Sequence, residues 1–156
     1  MSRWLAIAAV LIVLDQASKF WITQWLADGH SVEVTSFFNL VLVHNAGAAF
    51  SFLANAAGWQ RGFFIAIALI AAGWIIFLLR RHARETFFCC ALALILGGAL
   101  GNLIDRIWIG AVVDFLDFHA AGWHWPAFNV ADSAITCGAA MLVVDSLRAT
   151  RATRAA

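Results

Sequence analysis

Asp114 and Asp132 have the most chemistry to offer, because each stands where an apolar stretch meets a polar turn. Val112, Val113, Asp114 and Phe115 form a β-like run, a Trp- and His-rich turn follows (Trp123, His124, Trp125, Pro126), and Phe128, Asn129, Val130, Ala131 and Asp132 then open an apolar helix. A carboxylate at the mouth of such a helix is costly unless it is paired, hydrated or used. The two aspartates lie 18 positions apart, so no helical period pairs them and only the fold can bring them together. Two adjacent carboxyl groups cannot both ionise. They share a proton, one acting as a base toward water while the other polarises a carbonyl and protonates a leaving amine. The proton then belongs to the pair. Taken singly, Asp114 reads as a strand-edge residue and Asp132 as a helix cap.

Other chemistries are less well supplied. Ser18 beside Lys19 and Ser133 beside Asp132 have no histidine at a comparable depth to activate them. His30, His44, His119 and His124 are scattered over polar loops without the two-on-one-helix spacing of a metalloprotease. Cys89, Cys90 and Cys137 sit in apolar runs and suggest packing residues rather than a disulfide framework or zinc site. No metal and no cofactor are expected. Asp105 adjoins Arg106 and reads as its ion-pair partner, and Asp117 reads as a loop residue whose charge costs little.

The elements that must position these residues are membrane spans. The chain has 156 residues, 63% hydrophobic and 12% charged, with mean hydropathy +0.86. That is too apolar for a soluble domain and points to one integral membrane domain over 1–156. A net charge of +1 without a basic stripe excludes nucleic acid as a partner. Apolar runs at about 4–26, 62–79, 86–104 and 127–147 are long enough to cross a core about 30 Å thick. The first could pass for a signal peptide, but Asp15, Gln16 and Lys19 interrupt it and no small-residue cleavage site follows. Asp15 and Lys19, four apart, share a helix face, as a local ion pair with the lysine snorkelling outward or as part of a site. Gly97, Gly98 and Gly101 allow close helix approach, while Asn102 and Arg106 share one face of the third span.

Segments 28–61 and 105–126 lie outside the bilayer. In the first, 32–43 is β-branched and aromatic and ends in a turn at His44–Gly47, and 48–60 reads as an interfacial amphipathic segment. A second strand, 111–118, is expected to pair with the first. Arg3, Arg80, Arg81, Arg84, Arg148, Arg151 and Arg154 fall on one side, against Arg61 and Arg106 on the other, so both termini are expected in the cytoplasm. The fold class is therefore mainly α, with four transmembrane helices, a small extracytoplasmic β-structure and an interfacial segment.

Counting helical rise from the arginines places the polar residues by depth. Asp15 and Lys19 lie about 18 and 24 Å from Arg3, Asn102 about 27 Å from Arg84, and Asp132 about 24 Å from Arg148. All four land in the outer half of the bilayer, and Asp114 and Asn45 come down to it from the loops.

Five blocks in order carry a resemblance: Asp15, Gln16, Ser18, Lys19; Asn45, Gly47, Phe50; Gly97, Gly98, Gly101, Asn102, Asp105, Arg106; Val112 to Phe115; and Phe128, Asn129, Ala131, Asp132. Together they resemble lipoprotein signal peptidase, the bacterial signal peptidase II family, over nearly the whole chain. The resemblance implies a metal-free aspartyl endopeptidase of the bacterial inner membrane. Its partners would be membrane lipid and a diacylglyceryl-modified prolipoprotein, cut just before the lipidated cysteine. It implies Asp114 and Asp132 as the catalytic dyad, with Asp15, Lys19, Asn45, Asn102, Arg106 and Asn129 lining or supporting the site. The outer strands would form the family's β-cradle. A site built within one chain is expected to work as a monomer. The competing expectation is a small transporter or proton relay using Asp15, Lys19 and Asp132, which requires polar residues in the cytoplasmic half of the spans.

Overall fold

In the computed structural model, residues 1–47 and 59–155 are described, with side chains as far as residue 148. Most of the expected interfacial segment, 48–58, lies outside them. Helix α1 (Ser2–Trp25) leads into strands β1 (Val32–Thr35) and β2 (Phe38–Asn45). Helices α2 (Trp59–Arg81) and α3 (Thr86–Trp108) follow, then strands β3 (Val112–Ala120) and β4 (Trp123–His124) and helix α4 (Val130–Ala155). Among the described residues, four helices are long and apolar enough to span a membrane, α4 through Arg148. The strands form one antiparallel sheet in the order β1-β2-β3-β4. The molecule is thus mainly helical with a small sheet at one end of the bundle.

The stretch 32–43, expected as a single strand, is instead a hairpin that folds back at Ser36 and Phe37. The tip carries none of the Gly, Pro, Asn or Asp that usually marks such a turn. Thr35 supplies the reversal, its Oγ1 accepting the Phe37 N–H at 3.4 Å. The expected pairing of the two outer β-regions is present as β2 against β3, with Asn45 opposite Val112 and Val43 opposite Asp114.

Helix α3 is the most buried span and is packed by the other three. Close approach depends on missing side chains: a Cβ on Gly98 would stand 2.4 Å from the Ala131 carbonyl oxygen of α4, and one on Gly101 would stand 2.6 Å from Asp15 Oδ2 of α1. Lipid gives helices no hydrophobic reason to associate, so such contact and interhelical hydrogen bonds hold them. The two ends of the bundle use these differently. Away from the sheet, Trp4, Ala8, Ala72, Leu79, Leu92 and Leu96 form an apolar core. Toward the sheet, a buried polar network joins the helices beside a small apolar cluster of Ile22, Leu26 and Phe115.

Candidate active site

The polar end is built around Lys19. Its ammonium is 2.8 Å from Asp15 Oδ2, 2.8 Å from Asp105 Oδ2 and 2.9 Å from Asn102 Oδ1, so all three of its protons have acceptors. The Asp15 pair expected from spacing is present, but Lys19 is 3% exposed and does not snorkel. Asp105 pairs with this lysine rather than with its neighbour Arg106, because successive helix positions face different ways. Gln16 Nε2 reaches Asp105 Oδ1 at 2.8 Å and lies 3.2 Å from both the Gly101 carbonyl and Asp15 Oδ2. Two anions around one cation leave a surplus negative charge. Asp15 Oδ1 directs it at the Ala131 N–H (2.9 Å), in the first turn of α4, where the helix dipole favours an anion.

Asn102 and Asn129 carry this order to the two aspartates. With its oxygen held by Lys19, the Asn102 amide turns its Nδ2 to Asp132 Oδ1, 2.8 Å away. Asn129 precedes α4 and forms a reciprocal cap with Asp132: the Asp132 N–H donates to Asn129 Oδ1 at 2.9 Å, and the Asn129 N–H donates to Asp132 Oδ2 at 3.3 Å. The other end of the same side chain, Nδ2, donates to Asp114 Oδ1 at 2.7 Å. One fully buried residue thus reaches both carboxylates, through its side-chain amide at Asp114 and its backbone N–H at Asp132. Asn45, at the end of β2, donates its Nδ2 to Asp114 Oδ2 at 3.1 Å.

Asp114 is 2% exposed on β3. Burial first, then the Asp132 charge, pushes its carboxyl up to about 6, against the pull of the amide hydrogen bonds from Asn45 and Asn129 and the Lys19 charge. Asp114 and Asp132 line one cavity of about 980 Å³ with Asn45, Asn102 and Arg106. Arg106 donates from Nη2 to the Gly47 carbonyl (3.1 Å) and from Nη1 to the Asn102 carbonyl (3.3 Å). Among the described residues its buried Nε has no hydrogen-bond partner.

The structure therefore brings together all eight residues singled out in the sequence: Asp114, Asp132, Asn45, Asn102 and Arg106 on the cavity, Asn129 between the acids, and Asp15 and Lys19 behind them. Gln16 and Asp105 were missed as members. The available signal was their spacing, since Asp15, Gln16 and Lys19 on one helix face Gly101, Asn102 and Asp105 on another. Asp117 is no exposed loop residue: it is 6% exposed in β3 and bonded to Asn39 and His124. Among the described residues no group of three or more His, Cys, Asp and Glu could hold a metal ion.

Comparisons with known proteins agree with one another. Residues 7–148 match the family described as Signal peptidase (SPase) II. The lipoprotein signal peptidase of Janthinobacterium sp. (strain Marseille) is 61% identical over 148 residues, covering 95% of this chain and 90% of that protein. That of Paraburkholderia phytofirmans is 58% identical over 154 residues, covering 99% and 90%. A solved bacterial membrane enzyme at 2.3 Å resolution superposes with a TM-score of 0.86 at 34% identity, covering 96% of this chain and 90% of that one. A second, at 1.9 Å, superposes with a TM-score of 0.82 at 33% identity, covering 94% of each. The chain belongs to the signal peptidase II family.

Proposed function

We propose that this protein is an intramembrane aspartyl endopeptidase that removes the signal peptide from diacylglyceryl-modified prolipoproteins, cutting before the lipidated cysteine. The observation that carries the reading is a pair of carboxylates on one cavity, Asp114 buried and Asp132 half-buried, bridged by Asn129 and set at the sheet end of four spans. A substrate with a signal helix and two acyl chains is held in lipid, so its scissile bond comes to this boundary. Family membership and the lipoprotein signal peptidases to which the chain is similar support the same substrate.

The hydrogen bonds suggest a division of labour. Asp132 receives the Asn102 amide and the Asn129 N–H at the positive end of α4, a setting for a carboxylate. Asp114 is the acid driven toward its protonated form. In the proposed reaction Asp132 takes a proton from water as the water oxygen bonds to the scissile carbonyl carbon, and Asp114 gives its proton to the carbonyl oxygen. The tetrahedral diol collapses when Asp132 passes its proton to the amide nitrogen, the C–N bond breaks and a hydroxyl proton returns to Asp114. The products are a signal peptide with a free carboxyl terminus and a lipidated cysteine with a free amine. The Arg106 guanidinium, on the same cavity with Nε unpartnered, is suited to hold a backbone carbonyl of the substrate.

The proton-relay alternative gains nothing from the structure, because the polar network gives way to the apolar core of Trp4, Leu79, Leu92 and Leu96. On the peptidase reading the chain acts as a monomer in the bacterial inner membrane with both termini in the cytoplasm. The test is purified protein with a diacylglyceryl prolipoprotein in detergent, with and without chelator, and product mass measured. The expected result is a new amino terminus at the lipidated cysteine, unaffected by chelation. A cut elsewhere, or activity lost to chelator and restored by metal, overturns the mechanism.

A further inference from the structure

Val113 and Ala131 each stand one place before a cavity aspartate, and each gives its backbone N–H to a buried carboxylate. The Val113 N–H donates to Asp105 Oδ2 at 3.1 Å, and the Ala131 N–H donates to Asp15 Oδ1 at 2.9 Å. Ala131 is in the first turn of α4, where an N–H has no partner within its own helix, so its acceptor must come from another element. Asp105 and Asp15 belong to different spans, α3 and α1, and one ammonium joins them: Lys19 Nζ is 2.8 Å from an oxygen of each. The chain of contacts therefore runs from Val113 through Asp105, Lys19 and Asp15 to Ala131. Its two ends are the backbones that carry Asp114 and Asp132.

All five members of this chain are buried, which strengthens each contact and raises the cost of losing one. Gln16 holds it from the side, its Nε2 donating to Asp105 Oδ1 at 2.8 Å. Neither Gln16 nor Asp105 lines the cavity, so both reach a substrate only through other groups. The work is divided: Asn102 and Asn129 orient the two carboxyl groups, and the Lys19 chain fixes the backbones from which they project.

We propose that Asp105 is a positioning residue of the peptidase: with Lys19 and Asp15 it forms a yoke that grips the backbones of Val113 and Ala131 and so sets the spacing between Asp114 and Asp132. The inference rests on the peptidase reading, in which one water and the scissile carbonyl must meet both acids at once. A misplacement of about 1 Å at such a site costs about a hundredfold in rate. Gln16 serves the same yoke by holding Asp105.

The experiment measures cleavage of a diacylglyceryl prolipoprotein from pH 5 to about 8 by the wild type, Asp105→Asn and Gln16→Leu, with a thermal melt of each in detergent. Asp105→Asn leaves one cation against one anion, so no buried charge is stranded, but its amide nitrogen cannot accept where a carboxylate oxygen did. Gln16→Leu changes no charge and separates lost position from lost charge. Asp105→Asn is expected to lower kcat about tenfold to a hundredfold with KM within about twofold. Burial and the Asp132 charge hold the Asp114 carboxyl at about 6, so once the two acids loosen, the pH above which kcat/KM declines should move down. Gln16→Leu should move it the same way by less, with kcat lowered about threefold.

A residue that only stabilises the fold would lower the melt and the amount of active protein and leave that pH where it was. Wild-type kcat and pH profile in both variants, or lost activity with an unmoved profile, overturn the yoke and leave the peptidase standing. A profile that moves in Asp105→Asn and not in Gln16→Leu assigns the effect to charge and overturns it too. Should Asp105→Asn fail to fold, the profile of Gln16→Leu decides alone. No cleavage by the wild type overturns the peptidase reading, and the yoke with it.

Discussion

The two ends of the bundle solve one packing problem by opposite means. Away from the sheet, Trp4, Ala8, Ala72, Leu79, Leu92 and Leu96 fill the space between α1, α2 and α3 with uncharged, largely apolar side chains. Toward the sheet, α1, α3 and α4 meet through Lys19, Asp15, Asp105, Asn102 and Asn129, each with named partners. An apolar core tolerates substitution when volume is kept. A buried polar network does not, because removing one member leaves the others charged or unsatisfied. The first end makes a bundle, and the second makes a bundle with its side chains in one arrangement.

Unequal damage is the sharpest way to break that comparison. Lys19→Met keeps the stem but leaves Asp15 and Asp105 facing each other without a cation. It is expected to cost about 3–5 kcal/mol of stability and to lower kcat tenfold or more, about the loss that follows when a supporting hydrogen bond is removed. Leu96→Ala, in the apolar end, should cost about 2 kcal/mol and leave kcat within about twofold of wild type, as a remote packing defect would. Thermal melts in detergent and single-substrate kinetics separate the two. Equal loss of kcat would mean that the polar end is merely another core.

A smaller effect appears with pH. The Asp114 carboxyl lies near 6 in the folded protein, above its ordinary 3.8, so the folded chain binds this proton more tightly than the unfolded chain does. The stabilisation is complete below about 3.8 and is lost as pH rises through about 6. Melting temperature should fall across that window, and the fall should be shallower in Asp114→Asn. On the proposed mechanism the same proton is needed at the scissile carbonyl, so kcat/KM should decline above about pH 6, with the limb belonging to the pair. A flat profile from pH 5 to about 8 would contradict the protonated acid.

Much of this was legible in the residues, because a bilayer converts sequence distance into depth. Counting from arginines put Asp15, Lys19, Asn102 and Asp132 in one layer, and in the structure they belong to one hydrogen-bonded network. What depth cannot supply is azimuth. Counting alone could not show that Asp105 turns to Lys19 rather than Arg106, or that Lys19 turns inward, because each depends on the neighbour a helix face meets. The hairpin tip at Ser36 and Phe37 was hidden because a threonine hydroxyl does the work expected of glycine or asparagine. Asp117 was misjudged for a related reason: the strand pairing was expected, but local sequence does not mark that Asn39 of β2 and His124 of β4 turn their side chains to this carboxylate.

The central claim is that Asp114 and Asp132 act as one unit around a shared proton. Its most direct test is cleavage of a diacylglyceryl prolipoprotein by Asp114→Asn, Asp132→Asn and the double variant, each checked for an unchanged melt or fold. The account predicts that each single change lowers kcat by about a thousandfold or more and that the double variant is scarcely worse, as for residues acting together. A single variant that keeps near-normal activity, or losses that multiply in the double variant, would contradict it.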